Sequence, residues 1–410
     1  MSVIDLARIA LLCVEAIIAF FVLYLLVVAS AATLAQARAR RHNAAGAPRD
    51  LPAFVIVIPA HDEESTLGNL LGCLSALTYP RERFTVCVVA DNCEDGTAAL
   101  ARGYAGVRVY ERHDARQGKG YALAWIFEQI AADGLNYDAC LVLDADAVIG
   151  PGLLHAYVEA LSRGAQAIQG RYLVLNPSAS PSSALRWLAL ALANYVRPLG
   201  RYTLGASASI TGNGFCLTRE LLRDHPWRAF GLAEDYQYYL GLAQSGVRVH
   251  YAPDAHILSL MPTRFSELRT QDIRWESVDA GQTPSRVIAW RLLLGWARTG
   301  DFRRLEAVIE LLTPQISVLA LSSVLLVVAA AALRSPAALV LSLGVVAGLT
   351  LYVSSAFSLL HPPLQTYRAV LIAPWYAAQK AWILLVVRHR ASETNAWVRT
   401  RRESESVVGK

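Results

Sequence analysis

Zinc-spaced cysteines, metal-spaced histidines and a basic stripe are all missing from this 410-residue chain. Its six cysteines (Cys13, Cys73, Cys87, Cys93, Cys140, Cys216) contain no Cys-x-x-Cys pair and no histidine partner at zinc spacing, which leaves reduced, buried thiols as the expectation. His61, His113, His250 and His256 share no consistent spacing, so no metal role is assigned to them. Charged residues make up only 17% of the chain, and the net charge of +5 gathers beside apolar segments, with no interleaved aromatics. Nucleic acid is therefore excluded as a partner, and the charge is read as membrane topology and contact with anionic lipid. Apolar residues dominate instead: 54% are hydrophobic and the mean hydropathy is +0.34, high for a soluble protein.

Membrane segments are accordingly expected. No charge interrupts residues 16–35, a run long enough to cross about 30 Å of hydrocarbon at about 1.5 Å per residue. Small residues at Ala31, Ala32 and Ala35 mimic a signal-peptide cleavage site, but Arg38, Arg40, Arg41 and Arg49 follow the apolar core instead of preceding it. Residues 1–36 thus read as a transmembrane helix, with residue 36 onward cytoplasmic. Uncharged runs at 311–333 and 335–360, joined at Arg334, read as a helical hairpin over 311–360. Residues 369–387 carry Gln379 and Lys380 among Trp375, Tyr376 and Trp382, which favours a helix in the interface. A span there would carry the basic tail of residues 388–410, with Arg388, Arg390, Arg399, Arg401 and Arg402, outside. Residues 185–202 and 282–308, bearing Trp187, Tyr195, Arg197, Arg201, Trp290, Arg291 and Trp296, read as further interfacial helices.

Between residues 51 and 281 the pattern changes to β-branched runs alternating with helical stretches, the mark of an α/β domain with a mainly parallel sheet. Strands are expected at 54–58, 84–90, 107–110 and 140–143, with helices beginning near Glu64, Asp95, Gly118 and Gly150. Ligands bind beyond the carboxyl ends of such strands. The polar motifs follow that rule: Pro59-Ala60-His61-Asp62-Glu63-Glu64, Asp91-Asn92-Cys93-Glu94-Asp95 and Asp144-Ala145-Asp146 each follow a strand.

Each motif has a plain alternative. Asp95 is placed to cap a helix, while Asp91, as an exposed strand-end carboxylate, would accept the imide N–H of uracil. Asp144 and Asp146 suit Mg2+ or Mn2+, which share their shell between carboxylates and substrate phosphates, although a bare Asp-x-Asp also arises by chance. Lys119 opens a glycine-flexed helix start where phosphate would be met, or is an exposed loop lysine. Thr211-Gly212-Asn213-Gly214 lets backbone approach a ligand closely, or is a tight turn before the stretch 215–222. Glu234-Asp235 opens a helix, where an acid is favourable in any case. Gln271, Arg274 and Trp275 share one helix face.

In order and spacing, Asp91, Asp144-Ala145-Asp146, Glu234-Asp235 and Gln271-Asp272-Ile273-Arg274-Trp275 resemble the motifs of membrane-embedded family 2 glycosyltransferases, among them cellulose, chitin and hyaluronan synthases and ceramide glucosyltransferase. The resemblance covers residues 52–402 and implies a GT-A-like, inverting, metal-dependent UDP-sugar transferase at the cytoplasmic face of the cell membrane. It makes Asp235 the base, oriented by Glu234. It assigns Pro59, His61, Glu63, Asp91, Lys119, Asp144, Gln271, Arg274 and Trp275 to the nucleotide-sugar, and Gly212, Asn213, Gly214 and Trp275 to the acceptor. Asp144 and Asp146 would hold the metal. The pattern departs from the family in Ala233, where Thr is usual, and Cys93, where Ser or Thr is common. The implied acceptor is a growing poly- or oligosaccharide or, alternatively, a lipid. A synthase with so few spans would need dimerisation or bound lipid to complete a channel. Loss of a carboxylate would mark a non-catalytic scaffold, and all four aspartates are present.

Overall fold

The computed structural model describes residues 2–39, 51–231, 233–261, 263 and 284–372. The expected interfacial helix at 369–387 falls almost wholly, and the tail at 388–410 entirely, outside these residues, as do Gln271, Arg274 and Trp275.

Strand β1 (Phe54–Ala60) lies at the heart of one sheet, flanked in parallel by β2 (Phe84–Asp91) and β4 (Ala139–Val142), with β3 (Val107–Arg112) beyond β2. Nearly every residue of β1 is buried, the pattern of a strand covered on both faces. Pro59 does not interrupt it, because β4 pairs with β1 only as far as Val57 and the missing N–H falls beyond the paired segment. Helices α2 (Leu67–Ser75), α3 (Thr97–Arg102) and α4 (Lys119–Ala132) connect these strands. This is the expected parallel half.

The other half is mixed. Strand β7 (Phe215–Thr218) runs antiparallel to β4 and to β6 (Ala167–Val174), β8 (Val249–Ser259) runs parallel to β6, and β5 (Ala147–Ile149) closes the edge, in the order β3-β2-β1-β4-β7-β6-β8-β5. Because β7 returns beside β4, the turn before β7 lies against the Asp144 loop. Helices α5 (Leu153–Ser162), α6 (Pro181–Ala191), α7 (Arg197–Thr203), α8 (Arg219–Asp224) and α9 (Glu234–Ser245) complete the domain.

Among the described residues two helices are long and apolar enough to cross a membrane: α1 (Val3–Ala39), about 55 Å at the usual rise, and α13 (Pro336–Leu360). The expected first arm of the hairpin is divided. Amphipathic α11 (Phe302–Leu312) and apolar α12 (Ile316–Ala332) meet at 65° around Pro314, which has no N–H to continue a helix. Taken together the pair is apolar enough for one broken span or a re-entrant loop. Helix α10 (Ser285–Thr299) exposes Trp290 and Trp296 while burying Leu292. A short α14 (Leu364–Ala369) follows α13.

Residues 185–202 differ from expectation. They form the end of α6, a π-turn at Leu192–Val196 and α7, and Trp187, Tyr195 and Arg201 are buried between the sheet and the membrane helices instead of lying in lipid. Helix α7 packs on α1 so closely that a Cβ at Gly200 would collide with the Val28 carbonyl. Arg201 there meets Glu306 of α11, its Nε 2.6 Å from Oε1. The basic face was legible, but its partner is a protein carboxylate, not a phospholipid.

Candidate active site

Two loops at the ends of β1 and β2 clasp each other. Asp62, held at φ 53°, accepts from the Glu94 N–H at 2.8 Å, while Glu64 N–H donates to Asp95 at 3.1 Å and Gly96 N–H to Glu64 at 2.9 Å. Among the described residues Asp62, Cys93 and Asp95 form one cluster with metal-ligand geometry, but backbone N–H groups already engage both carboxylates. It is a loop clasp. His61 Nδ1–H donates to the Asp91 carbonyl at 2.7 Å, and the Glu63 N–H donates to Thr97 Oγ1 at 2.8 Å, so both shape this end of the crevice.

Asp91 is not the exposed carboxylate expected at its strand end. It is 5% exposed and ion-paired with Arg112 at 2.5 Å. Burial raises its pKa, opposed by the Arg112 hydrogen bond and charge.

A second group assembles where α4, the β4 end and α9 meet. Lys119, first residue of α4, places Nζ 2.5 Å from Asp144 Oδ1 and 4.0 Å from Glu234 Oε1, and donates to the Gly212 carbonyl. Asp144 and Asp146, both half-buried, follow β4. Gly212 has φ +77°, and a Cβ there would lie 2.8 Å from Asp235 Oδ2, so glycine is required by conformation and by space. Asp144, Lys119, Glu234, Gly212 and Asp235 thus converge from four parts of the chain.

The electrostatics follow from three carboxylates around one ammonium. Burial and the Asp235 charge push Glu234 up to about 8, with Lys119 opposing. Burial likewise raises Asp235, again against Lys119. Burial works against the Lys119 charge, yet Asp144 and Glu234 hold its pKa above the ordinary lysine value. Ala233 provides no side-chain cap to α9, in keeping with the missing threonine hydroxyl.

Asn213 is fully buried and so does not face an acceptor. Its Oδ1 accepts from the Asp144 N–H at 3.1 Å, which sets the Asp144 loop. Gly214, also buried, is held through its carbonyl by the Tyr157 hydroxyl at 2.8 Å. Of the expected acceptor turn, Gly212 alone adjoins Asp235 among the described residues.

Sequence reading missed Gln169 of β6. Its fully buried carboxamide accepts from the Thr211 N–H at 3.0 Å and donates to the Asn213 carbonyl at 2.8 Å, fixing the turn that carries Gly212. The available signal was an amide directly after the apolar pair Ala167-Ile168 in a strand.

Known proteins resemble this chain in family and in fold. The family described as glycosyltransferase like family 2 matches residues 52–277. A probable glycosyltransferase YdaM of Bacillus subtilis is 24% identical over 236 residues, covering 55% of this chain and 55% of the relative. A beta-monoglucosyldiacylglycerol synthase of Synechocystis is 28% identical over 177 residues, 42% of this chain and 36% of the relative. The chain therefore spans about half the length, or less, of these curated relatives. A mannosyltransferase from Pyrobaculum calidifontis, solved with GDP-Man and Mn2+, superposes with a TM-score of 0.51 at 17% identity, covering 90% of this chain and 99% of that one. That likeness shows the fold, a GT-A-like α/β domain.

Proposed function

Because the chain belongs to glycosyltransferase family 2, we propose that it transfers a sugar from a UDP-sugar to an acceptor hydroxyl at the cytoplasmic face of the membrane, inverting the anomeric centre. The observation that carries this reading is Asp235, wedged beside Gly212 and next to the Lys119–Asp144 pair.

An alcohol is a poor nucleophile at neutral pH, and a carboxylate within hydrogen-bond reach takes its proton as the new bond forms. Asp235 accepts the proton from the acceptor oxygen. That oxygen bonds to the anomeric carbon from the face opposite the donor phosphate, the bond from that carbon to the phosphate oxygen breaks, and the nucleoside diphosphate departs with the electron pair. Glu234, beside Asp235, tunes the base through its own charge. Lys119 holds the group together and stands ready for phosphate. Asp91 and the clasped loops support the base and ribose end of the donor, with Gln271, Arg274 and Trp275 proposed to complete the donor site. Asp144 and Asp146 are hard oxygen donors in a net-negative pocket, a set that fits Mg2+ or Mn2+, which when bound would offset the charge on the leaving diphosphate.

Of the two acceptors expected, a lipid has the better support. The catalytic domain is seated on α1 through α7, and a curated relative is named a glycolipid synthase. Extension of a polysaccharide is the second reading, and it would need an oligomer or bound lipid to complete a conduit, since the described residues offer two or three candidate spans.

Purified protein in detergent, given Mn2+ and a panel of UDP- and GDP-sugars, tests this, with Asp235→Asn as control. Label entering the organic phase supports glycolipid synthesis, and large water-soluble product supports the polysaccharide reading. Nucleotide release no greater than that of Asp235→Asn with every donor would sink the catalytic assignment.

A further inference from the structure

Gly212 and Asp235 meet at the site, and the two segments that deliver them are tied together a second time, further back, by one guanidinium. Arg201 of α7 donates through Nη1 to the Ser209 hydroxyl at 2.8 Å and through Nη2 to the Tyr239 hydroxyl at 3.0 Å. Ser209 lies three residues before Gly212 in the chain. Tyr239 lies four residues after Asp235 in α9, about one helical turn.

The rest of that guanidinium is held by the membrane helices. Nε and Nη2 of Arg201 fork onto the two carboxylate oxygens of Glu306 in α11, at 2.6 and 2.9 Å, and the Tyr24 hydroxyl of α1 donates to the same carboxylate at 2.7 Å. All three guanidinium nitrogens are thereby engaged. Arg201 and Tyr239 are each 1% exposed and Glu306 is 4% exposed, so substrate has no access to the group.

Arginine presents its donors in a rigid plane, so acceptors bound to two of its nitrogens are fixed relative to each other, which a lysine ammonium on its flexible stem does not achieve. Burying an ion pair is seldom what stabilises a fold, since apolar residues of similar volume do as well or better. What the Arg201–Glu306 pair supplies is direction. The distance that direction governs is short: a Cβ at Gly212 would lie 2.8 Å from Asp235 Oδ2. A base has to stand within hydrogen-bond reach of the proton it takes, and a misplacement of about 1 Å can cost about a hundredfold in rate.

We propose that Arg201 is a positioning residue for the base: it sets α9 and the Gly212 turn against each other and, through Glu306, ties that setting to the membrane helices. The proposal rests on the reading of Asp235 as base given above. Arg201 undergoes no covalent change and acts through Tyr239 and Ser209.

The test uses full-length protein in nanodiscs containing diacylglycerol, with Mn2+ and the most active UDP-sugar of the donor panel, and follows nucleotide release. Tyr239→Phe and Ser209→Ala each delete one oxygen, and each is expected to lower kcat about tenfold, equivalent to about 1.4 kcal/mol, with donor KM, UDP affinity by calorimetry and melting temperature unchanged. Because both hydroxyls act through one guanidinium, the Tyr239→Phe/Ser209→Ala protein should fall little further than either single variant. Ser209→Thr restores the hydroxyl and should restore kcat. Arg201→Met/Glu306→Leu removes the pair without leaving a buried charge. Its kcat should stay low although its fold is held, and amides of residues 209–214 and of the first turn of α9 should exchange faster than in wild type.

A kcat within about twofold of wild type in both Tyr239→Phe and Ser209→Ala overturns the proposal. So does a loss of kcat matched by equal losses of UDP affinity and melting temperature, since that is the mark of a structural role alone. Wild-type release no greater than that of Asp235→Asn brings down the transferase reading and the role of Arg201 with it, whereas an active wild type with unaffected variants brings down the role of Arg201 only.

Discussion

Replacing Lys119 by methionine removes the ammonium that faces Asp144, Glu234 and Asp235 while keeping most of the side-chain volume. Lys119 Nζ stands 4.0 Å from Glu234 Oε1, which at an effective dielectric constant of about 20 corresponds to roughly 4 kcal/mol, or about three pKa units. Water entering beside methionine recovers part of that, so a rise of about one unit or more is expected for the Glu234–Asp235 pair. The sign is unambiguous: a base must be ionised to accept a proton, so raising its pKa moves the acid limb of the rate profile to higher pH. Burial has already raised both carboxylates, so wild-type activity should climb with pH, and Lys119→Met should climb later. Lys119→Arg retains the charge and should leave the limb in place. Nucleotide release, followed from roughly pH 6 to 10 at fixed Mn2+ and saturating donor, reads the limb, and calorimetric UDP affinity isolates any loss of donor binding. An active Lys119→Met protein with an unshifted limb would refute the idea that this ammonium sets the titration of the pair.

Glu234 bears on stability too. Its folded pKa of about 8 exceeds the ordinary 4.5, so the stability it contributes is fully present below about pH 4.5 and is lost as pH rises through 8. Glu234→Gln, neutral throughout, should therefore melt above wild type at alkaline pH and not at acidic pH, and identical differences at both would count against the assignment. Gln169→Leu strands the Thr211 N–H and the Asn213 carbonyl and should cost about 1–3 kcal/mol per group, seen as a lower melting temperature in detergent; an unchanged melt would show that the turn holds itself. Arg201→Met alone leaves Glu306 buried without its cation and should cost about 3–5 kcal/mol, most of it recovered in Arg201→Met/Glu306→Leu. A double variant as unstable as the single one would mean that the pair organises more than its own charges.

The parallel half of the sheet was legible because its strands are apolar runs ending in polar loops, and the polar loops are where a parallel sheet binds ligands. Asp144, Lys119 and Asp235 were named from their motifs, and the folded chain brings them together. Asp91 was read correctly as the end of a strand and incorrectly as exposed, since Arg112 pairs with it from the neighbouring β3. Gln169 stayed hidden because its partners lie 42 and 44 residues away. The stretch 185–202 shows the same limit: amphipathic spacing marks a basic face, but the glutamate that meets Arg201 is 105 residues downstream.

By itself the sequence determined the reaction class it resembles, the strand ends that carry polar groups, and the membrane runs near both ends, because spacing and hydropathy are local properties written in chain order. Tertiary structure alone decided that Gly212 abuts Asp235, that Asn213 is scaffold, and that α7 joins the catalytic domain to the membrane helices. Those contacts depend on which strand returns beside which and on which charges are buried together, and burial and distance exist only once the chain is folded.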